Sequence, residues 1–360
     1  MNYERRFERV RQALERERLD ALVTSCLPNI RYLCGFTGTA AVLIVSRRES
    51  VFCTDGRYTE QSRAEVRGAR VKIVKGKRAL ATATAWLSQH SKLRRIGIEP
   101  AHLTVAERDA LARSLPRGAR LIATRSLIEQ LRMIKEVEEV DRIRQACHLG
   151  SELFKNLAIS IQAGRSEAEI AGELELAARQ AGAEQMSFPT IIASGKRSAL
   201  PHGRASREAI PPKGFVVCDF GVILASYCSD MTRTLHVGRP QAEARAVYEA
   251  VREAQQAAVE AVKPGNTVGE VDQAARKLLQ KRSLGKFFTH STGHGLGLEV
   301  HEAPRVAAGQ PEVLRPGMVI TIEPGVYQSG KGGVRIEDTV VVTGSGCEIL
   351  TPSPKELIVV

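Results

Sequence analysis

Several features that this 360-residue chain lacks narrow its class. Its cysteines form no C-x-x-C pair, which excludes a zinc ribbon and favours reduced thiols over a disulfide framework. No run of about 18 apolar residues is present, and the first ten residues, MNYERRFERV, lack the apolar core of a signal peptide. We therefore expect a cytoplasmic protein that neither enters nor crosses a membrane. The seven cysteines are Cys26, Cys34, Cys53, Cys147, Cys218, Cys228 and Cys347.

The chain also lacks internal repeats, low-complexity tracts and heptad arrays, and its length favours two domains. Its net charge of +12 is uneven, since residues 1–126 carry +13 and residues 127–360 carry −1. Such basicity could mark an acidic partner or nucleic acid. Because the charges are dispersed and no nucleic-acid motif accompanies them, we interpret them as a solvated surface and expect no nucleic-acid partner.

Residues 1–126 alternate short apolar runs with helical patterns, which is typical of an α/β domain. The predicted helices are 3–19, 79–87 and 105–114. The predicted strands are 21–24, 40–45, 51–53, 71–74 and 96–98.

Residues 127–360 predict a second domain of α+β architecture, with helices covering an antiparallel sheet. Ser166 with Glu169 and Thr267 with Glu270 form capping boxes that predict helix starts. The predicted helices are 127–149, 167–181, 241–262 and 267–282, and the predicted strands are 215–220, 231–237, 319–323 and 334–342.

Four carboxylates stand beside these strands. Asp219 ends an apolar strand, and Asp230 follows after a hairpin that can bring both side chains to one face. Glu323 ends another apolar strand, where a carboxylate costs free energy unless it is paired or bound to metal. Glu337 lies in the segment GGVRIEDT. Taken alone, paired aspartates near a turn are more often turn formers.

The segment 288–304, FTHSTGHGLGLEVHEAP, holds three of the eight histidines between glycines that permit non-helical backbone. Its glycines do not match a dinucleotide fingerprint. Packing explains a single histidine well but explains this cluster poorly. Asp219, Asp230, His294, Glu323 and Glu337 therefore form a candidate ligand set for two divalent ions, which can activate water for hydrolysis at neutral pH.

These motifs closely resemble the pita-bread metallopeptidases, the family of methionine aminopeptidase, aminopeptidase P, prolidase and creatinase. The resemblance runs from residue 134 to about residue 357, and RYL before GFTG and the segment TDGRY resemble the creatinase-type amino-terminal domain. The stretches SALPHG, the three-histidine segment and GVRIED match the proline-specific branch. The resemblance implies a C-terminal pita-bread domain, preceded by a smaller creatinase-like α/β domain, and a homodimer.

By this resemblance, Asp219 chelates one metal, Asp230 and Glu337 bridge both, and His294 and Glu323 complete the site. Mn²⁺ is the expected ion, with Co²⁺ or Zn²⁺ as alternatives. Thr321 and Arg335 are expected to support the ligands.

The resemblance also implies catalytic roles. Glu323 is expected to move the proton of the attacking water, His290 or His301 to stabilise the oxyanion, and His202 to contact the substrate near the scissile bond. Phe188 and Arg305 are expected to line the substrate pocket, and arginines of the first domain such as Arg57 could recognise a substrate carboxylate.

The motifs place an Xaa-Pro aminopeptidase first, acting on peptides with proline second. The alternative is an Xaa-Pro dipeptidase, which shares the metal site, and the form VHEAPR is similar to the dipeptidases. Methionine aminopeptidase fits less well because those enzymes generally lack the first domain. Creatine hydrolysis also fits less well, because enzymes of that branch do not need the full set of metal ligands. A non-catalytic binding protein that contacts nucleic acid or a protein partner is the remote alternative.

Overall fold

The computed structural model describes residues 1–74, 76 and 78–360, which form two compact units, Met1–Arg132 and Met133–Val360. The sequence places the boundary earlier, after residue 126. The difference is the helix Leu127–Arg132, which buries Ile128 completely within the first unit. Its last residue also donates from Arg132 Nη1 to Asn29 Oδ1 at 2.7 Å.

Helices and strands alternate in the first unit. Its helices are α1 Tyr3–Arg16, α2 Leu27–Cys34, α3 Thr59–Glu65, α4 Ala79–Ser88, α5 Val105–Ser114 and α6 Leu127–Arg132, with a 3₁₀ turn at Gly56–Tyr58. Its strands are β1 Ala21–Thr24, β2 Val42–Ser46, β3 Ser50–Thr54, β4 Arg70–Ile73, β5 Arg95–Ile98 and β6 Arg120–Ala123. They form a mixed sheet in the order β4-β3-β2-β1-β5-β6, which confirms the α/β prediction.

The second unit begins with helices and continues with strands. Its helices are α7 Val137–Ser160, α8 Glu167–Gln180, α9 Ala242–Glu260 and α10 Val268–Lys281, with 3₁₀ turns at Gly195–Ala199 and Gly285–Phe287. Its strands are β7 Gln185–Met186, β8 Ile191–Ser194, β9 Gly214–Phe220, β10 Val222–Leu224, β11 Tyr227–Cys228, β12 Met231–Val237, β13 Gly293–Gly295, β14 Glu302–Val306, β15 Val319–Ile322, β16 Gly325–Gln328, β17 Gly332–Arg335, β18 Asp338–Val342 and β19 Cys347–Ile349. Across the described residues, none of the helices has the length and apolar character needed to span a bilayer.

Two antiparallel sheets position the candidate ligands. One has the order β12-β9-β8 and shares an apolar core with α7 and α8. The other has the order β14-β13-β15-β18-β19 and packs against α9 and α10. The capping boxes predicted at the starts of α8 and α10 are confirmed. The second unit therefore has the expected α+β architecture, with helices covering antiparallel sheets.

Two predicted elements are divided in the structure. The predicted strand 334–342 forms β17, which pairs with β16, and β18, which pairs with β15. Between them the Glu337 amide donates to the Thr232 carbonyl at 3.1 Å, which turns the chain from one sheet to the other. The predicted helix 127–149 is interrupted because the Lys135 amide donates instead to the Gly317 carbonyl at 2.8 Å.

Asp338 joins several elements behind the candidate site. Its fully buried carboxylate accepts from Arg233 Nη2 at 2.7 Å and from Lys355 Nζ at 2.8 Å. It also accepts from Gln255 Nε2 and from the Thr351 hydroxyl, each at 2.9 Å. β12, β18, α9 and the C-terminal segment are thus joined by one anion, immediately after the candidate ligand Glu337.

Replacing Asp338 with alanine leaves Arg233 as a buried charge without this partner. We expect Asp338→Ala to destabilise the metal-free protein by about 3–5 kcal/mol and to lower its thermal midpoint, measured by circular dichroism. The matched control is Asp109→Ala, which removes the exposed carboxylate paired with Arg108 and should cost less than about 1 kcal/mol. Equal midpoints for the two variants would contradict the role given to Asp338.

Candidate metal centre

The five candidate ligands converge from separate elements of the second unit. Asp219 lies on β9 and Asp230 directly precedes β12. These strands are antiparallel neighbours in which Thr232 opposes Asp219, so the hairpin brings both aspartates to one end. His294 lies on β13 at a register shift, Glu323 follows β15, and Glu337 lies between β17 and β18.

The distances between these side chains suit metal binding. One ligand atom each from Asp230, His294 and Glu337 lie within 4.8 Å of one another. His294 Nε2 is 3.6 Å from Asp230 Oδ2 and 3.6 Å from Glu323 Oε1. Asp219 lines the same cavity of 630 Å³, which we term the central cavity. The structure therefore brings together all five residues that the sequence selects.

The backbone fixes the ring of His294. A carbonyl can only accept, so the 3.0 Å contact with the Gly295 carbonyl places the proton on His294 Nδ1 and leaves the Nε2 lone pair facing the carboxylates. The His294 amide donates to the buried Thr321 hydroxyl at 3.1 Å, so Thr321 helps to fix the backbone of this candidate ligand. A Cβ on Gly293 would lie 1.8 Å from the Thr321 carbonyl oxygen, so only glycine permits this approach.

Arg335 and Thr232 bind the carboxylates of Asp219 and Glu337 and so fix their orientation. Arg335 Nη2 pairs with Asp219 Oδ2 at 2.5 Å. The Thr232 hydroxyl donates to Glu337 Oε2 at 2.7 Å and accepts from Arg335 Nε at 3.1 Å. Sequence reasoning missed Thr232. It lies two residues after Asp230, and the period of a strand places the two side chains on the same face of the sheet.

Helix α10 anchors the backbone of the histidine segment. The buried Asp272 carboxylate accepts from the Thr292 hydroxyl at 2.8 Å and pairs with Arg276 at 2.7 Å. Arg276 also donates to the His290 carbonyl at 2.5 Å. The Glu323 amide in turn donates to the Thr292 carbonyl at 2.7 Å, so the positions of the histidines and of Glu323 depend on one another.

Burial and mutual repulsion govern the charges of the site. Burial raises the pKa of Glu323 to about 8. The Arg335 cation opposes this rise, and the Asp219 carboxylate adds to it. Burial also raises the pKa values of Asp230 and Glu337, and repulsion from the neighbouring carboxylates raises them further. Burial lowers the pKa of His294 to about 4, so its imidazole is neutral and can bind metal at neutral pH.

The chemistry of the donor set fits divalent cations. Asp219 Oδ1 is buried, and no hydrogen bond reaches it from the residues that the structure describes. Unpaired buried carboxylate oxygens are costly, and a cation would satisfy this atom while screening the repulsion among its neighbours. Oxygen-rich ligands with one imidazole suit ions such as Mn²⁺ or Co²⁺.

Hydrogen bonds determine the tautomer of His290. Arg335 Nη1 donates to the Tyr327 hydroxyl at 2.6 Å, so the single proton of Tyr327 goes to His290 Nε2, 2.9 Å away. His290 Nδ1 then donates to the Ser291 carbonyl at 2.8 Å. Both ring nitrogens of His290 are thus engaged. Sequence reasoning missed Tyr327, because one tyrosine on a strand carries no pattern that distinguishes it from a core residue.

His202 and His301 line the central cavity differently. In the part of the chain that the structure describes, neither imidazole hydrogen-bonds to another residue. His301 packs edge-on against His294 with ring centroids 4.4 Å apart. Burial lowers the pKa of His301, and His202 adds to this effect, which favours the neutral imidazole, a form that can donate a hydrogen bond.

Phe188, Arg204 and Arg305 complete the lining of the central cavity. Phe188 is half-buried, whereas both arginines are exposed. Neither guanidinium hydrogen-bonds to any other residue in the described ranges. Arg57, by contrast, is paired with Asp55 at 2.8 Å in the first unit. Phe188 and Arg305, the two predicted pocket residues, therefore line the same cavity as the candidate ligands, and Arg204 is a second cation there that the sequence did not indicate.

The raised carboxylate pKa values make metal binding pH-dependent. The metal-free protein holds a proton on Glu323 below about pH 8, and a metal must displace it. We expect Mn²⁺ affinity to rise about tenfold per pH unit up to that pH for each proton displaced. Titration calorimetry in buffers of different ionisation enthalpy measures this proton release.

Matched variants test the source of the proton. Glu323→Gln should reduce the number of protons released per ion, whereas the exposed control Glu208→Gln should release as many as the native protein. Metal affinity that is flat below about pH 8, with no proton release, would contradict the assignment.

Comparison with known proteins agrees with this geometry. Residues 141–344 match the model of metallopeptidase family M24, and residues 6–134 match the creatinase/prolidase N-terminal domain. The chain is 47% identical over 232 residues to the Xaa-Pro dipeptidase of Pyrococcus furiosus. The aligned region covers 64% of this chain and 67% of that protein.

Solved structures extend the similarity over the whole chain. An Xaa-Pro dipeptidase from Bacillus anthracis is 39% identical with a TM-score of 0.96 and covers 100% of both chains. An X-Pro aminopeptidase from Thermotoga maritima is 35% identical with a TM-score of 0.89, covering 97% of this chain and 100% of that one. Two of these three relatives are Xaa-Pro dipeptidases and one is an X-Pro aminopeptidase, so the comparisons agree better with the dipeptidase alternative than with the aminopeptidase that the motifs place first. This chain belongs to metallopeptidase family M24, with the two-domain pita-bread fold of its proline-specific branch.

Proposed function

We propose that this protein is an Xaa-Pro dipeptidase that works with two divalent metal ions. The similarity to Xaa-Pro dipeptidases carries the proposal. Asp219, Asp230, His294, Glu323 and Glu337, which line one cavity, would hold the ions. Mn²⁺ suits this oxygen-rich set best, with Co²⁺ or Zn²⁺ as alternatives. Bound ions would polarise the scissile carbonyl and ease deprotonation of water at neutral pH.

Glu323 would move the proton during hydrolysis. Its carboxylate lies in the central cavity, 3.6 Å from His294 Nε2, where it can reach water beside the substrate carbonyl. Glu323 would accept the proton of the attacking water and deliver it toward the proline nitrogen. This delivery matters because proline forms a tertiary amide whose nitrogen must be protonated as it leaves.

The hydrogen bonds divide the histidines by role. His290 is engaged by Tyr327 and Ser291, so it would shape the cavity wall. His301 is neutral and its ring is available, so it is the better donor to the oxyanion that forms on the carbonyl. His202 lines the cavity and would contact the substrate near the scissile bond.

The cations of the central cavity favour a dipeptide substrate. In an Xaa-Pro dipeptide the proline carries the free carboxylate, whereas a longer peptide continues as a neutral amide. Arg204 and Arg305 line the cavity with uncommitted guanidiniums, the groups best suited to bind a carboxylate. Phe188 would contact the side chain of the first residue. Glu302 lines the same cavity but pairs with the buried Lys135 at 3.3 Å, so it competes weakly with a substrate carboxylate for these arginines.

Substrate length tests the proposed activity. We expect metal-stripped protein to be inactive, and Mn²⁺ to restore cleavage of an Xaa-Pro dipeptide but not of an Xaa-Pro-Yaa tripeptide. Amino-acid analysis of the products measures both reactions. Glu323→Gln, prepared identically, should be inactive, which controls for contaminating peptidases. Tripeptide cleavage at a rate similar to that of the dipeptide would establish the aminopeptidase instead.

Arg305 tests carboxylate recognition directly. We expect Arg305→Met to raise KM for an Xaa-Pro dipeptide roughly 10- to 100-fold, the effect of losing a hydrogen bond to a charged group, with a smaller change in kcat. The native enzyme should prefer the dipeptide over its prolinamide analogue, and the variant should lose that preference. Arg315→Met, which removes an exposed arginine paired with Glu312, is the control. An unchanged preference in Arg305→Met would refute this role.

A further inference from the structure

Three residues of different ligand types meet in the first unit, away from any motif that the function uses. Cys26 is the N-cap of α2, His102 lies in the connection between β5 and α5, and Glu129 lies on α6. One sulfur, one nitrogen and one oxygen atom from these side chains lie within 4.8 Å of one another. His102 Nε2 is 3.6 Å from Glu129 Oε1.

The spacing and the donor types suit a transition metal. In a tetrahedral zinc site, bonds of about 2.0–2.3 Å place neighbouring ligand atoms roughly 3.3–3.6 Å apart. The separations here need only small side-chain rotations to reach that range. A set of thiolate, imidazole and carboxylate prefers Zn²⁺ and ions of similar softness over Mg²⁺ or Ca²⁺.

Glu129 supplies an independent observation. Its Oε2 atom is buried, and none of the residues described in the structure hydrogen-bonds to it. Its Oε1 atom, which lies 3.6 Å from His102 Nε2, accepts from Asn29 Nδ2 at 2.6 Å, so Oε2 is the oxygen of this carboxylate that no described residue satisfies. A surface ion pair between His102 and Glu129 would leave this buried oxygen without a partner, whereas a bound cation would satisfy it.

A layer of hydrogen bonds supports Glu129, as metal sites require. The fully buried Asn29 also donates to Glu99 Oε1 at 2.7 Å and accepts from Arg132 Nη1 at 2.7 Å. Glu99 in turn accepts from the Thr24 hydroxyl at 2.5 Å. The carboxylate of Glu129 is therefore held in one orientation before any ion binds.

We propose that Cys26, His102 and Glu129 bind one Zn²⁺ or similar transition-metal ion, in addition to the metals of the second unit. The ion connects the start of α2, the β5–α5 connection and α6, so it stabilises the first unit. The side chain of His102 is 32% exposed, which gives the ion access from solvent and leaves a coordination position for water.

Cobalt spectroscopy distinguishes this site from the metals of the second unit. The five ligands there include no thiolate, so only a cysteine ligand produces a thiolate-to-cobalt charge-transfer band when Co²⁺ is added to the metal-free full-length protein. We expect the band in the native protein and in the controls Cys347→Ser and His148→Gln. It should be absent in Cys26→Ser and reduced at least tenfold in His102→Gln.

Zinc content and activity provide the second readout. After equilibration with Zn²⁺, Cys26→Ser should hold one fewer ion per chain than the native protein while its metal-restored peptidase activity stays unchanged. Zn²⁺ should also raise the midpoint of thermal unfolding followed by the fluorescence of Trp86, the single tryptophan, in the native protein more than in Cys26→Ser. Absence of the cobalt band in the native protein, or its persistence in Cys26→Ser, would overturn the site. Neither result bears on the proposed peptidase.

Discussion

Placing the carboxylates of Asp219, Asp230, Glu323 and Glu337 around one buried cavity costs free energy twice, through desolvation and through mutual repulsion. Arg335 offsets part of this cost by pairing with Asp219. The remaining repulsion would favour cation binding, because each bound ion would relieve part of it. The same arrangement of carboxylates thus destabilises the metal-free protein and supports the proposed metal site.

This arrangement requires a scaffold that resists the repulsion. Antiparallel strands provide it, because each ligand lies on or directly beside a strand whose backbone hydrogen bonds are already satisfied. The helices bury apolar faces against these sheets, and a fully buried aliphatic side chain contributes about 1.5–3 kcal/mol. Asp338 and Asp272 then join helices to the strands that carry the ligands.

Much of the fold and the site follows from local sequence. The capping boxes at Ser166 and Thr267 predict the starts of α8 and α10, because a cap involves only neighbouring residues. The five candidate ligand residues can also be selected from the sequence, because each ends or adjoins a strand in a context that packing alone explains poorly. Thr232 and Tyr327 were missed because their partners are distant in sequence. The division of 334–342 into two strands was missed for the same reason, since each half pairs with a different strand.

Local sequence was enough to predict the candidate metal ligands, the family that the chain resembles and the positions at which most helices begin. These properties depend on side-chain chemistry and on neighbouring residues. The packing of distant elements is what engages His290 in hydrogen bonds while the His301 ring accepts and donates none among the described residues. The same packing places Arg305 and Arg204 in one cavity wall with Phe188. It alone brought Cys26, His102 and Glu129 together. Such distances depend on how separate elements pack, and no local pattern in the chain records them.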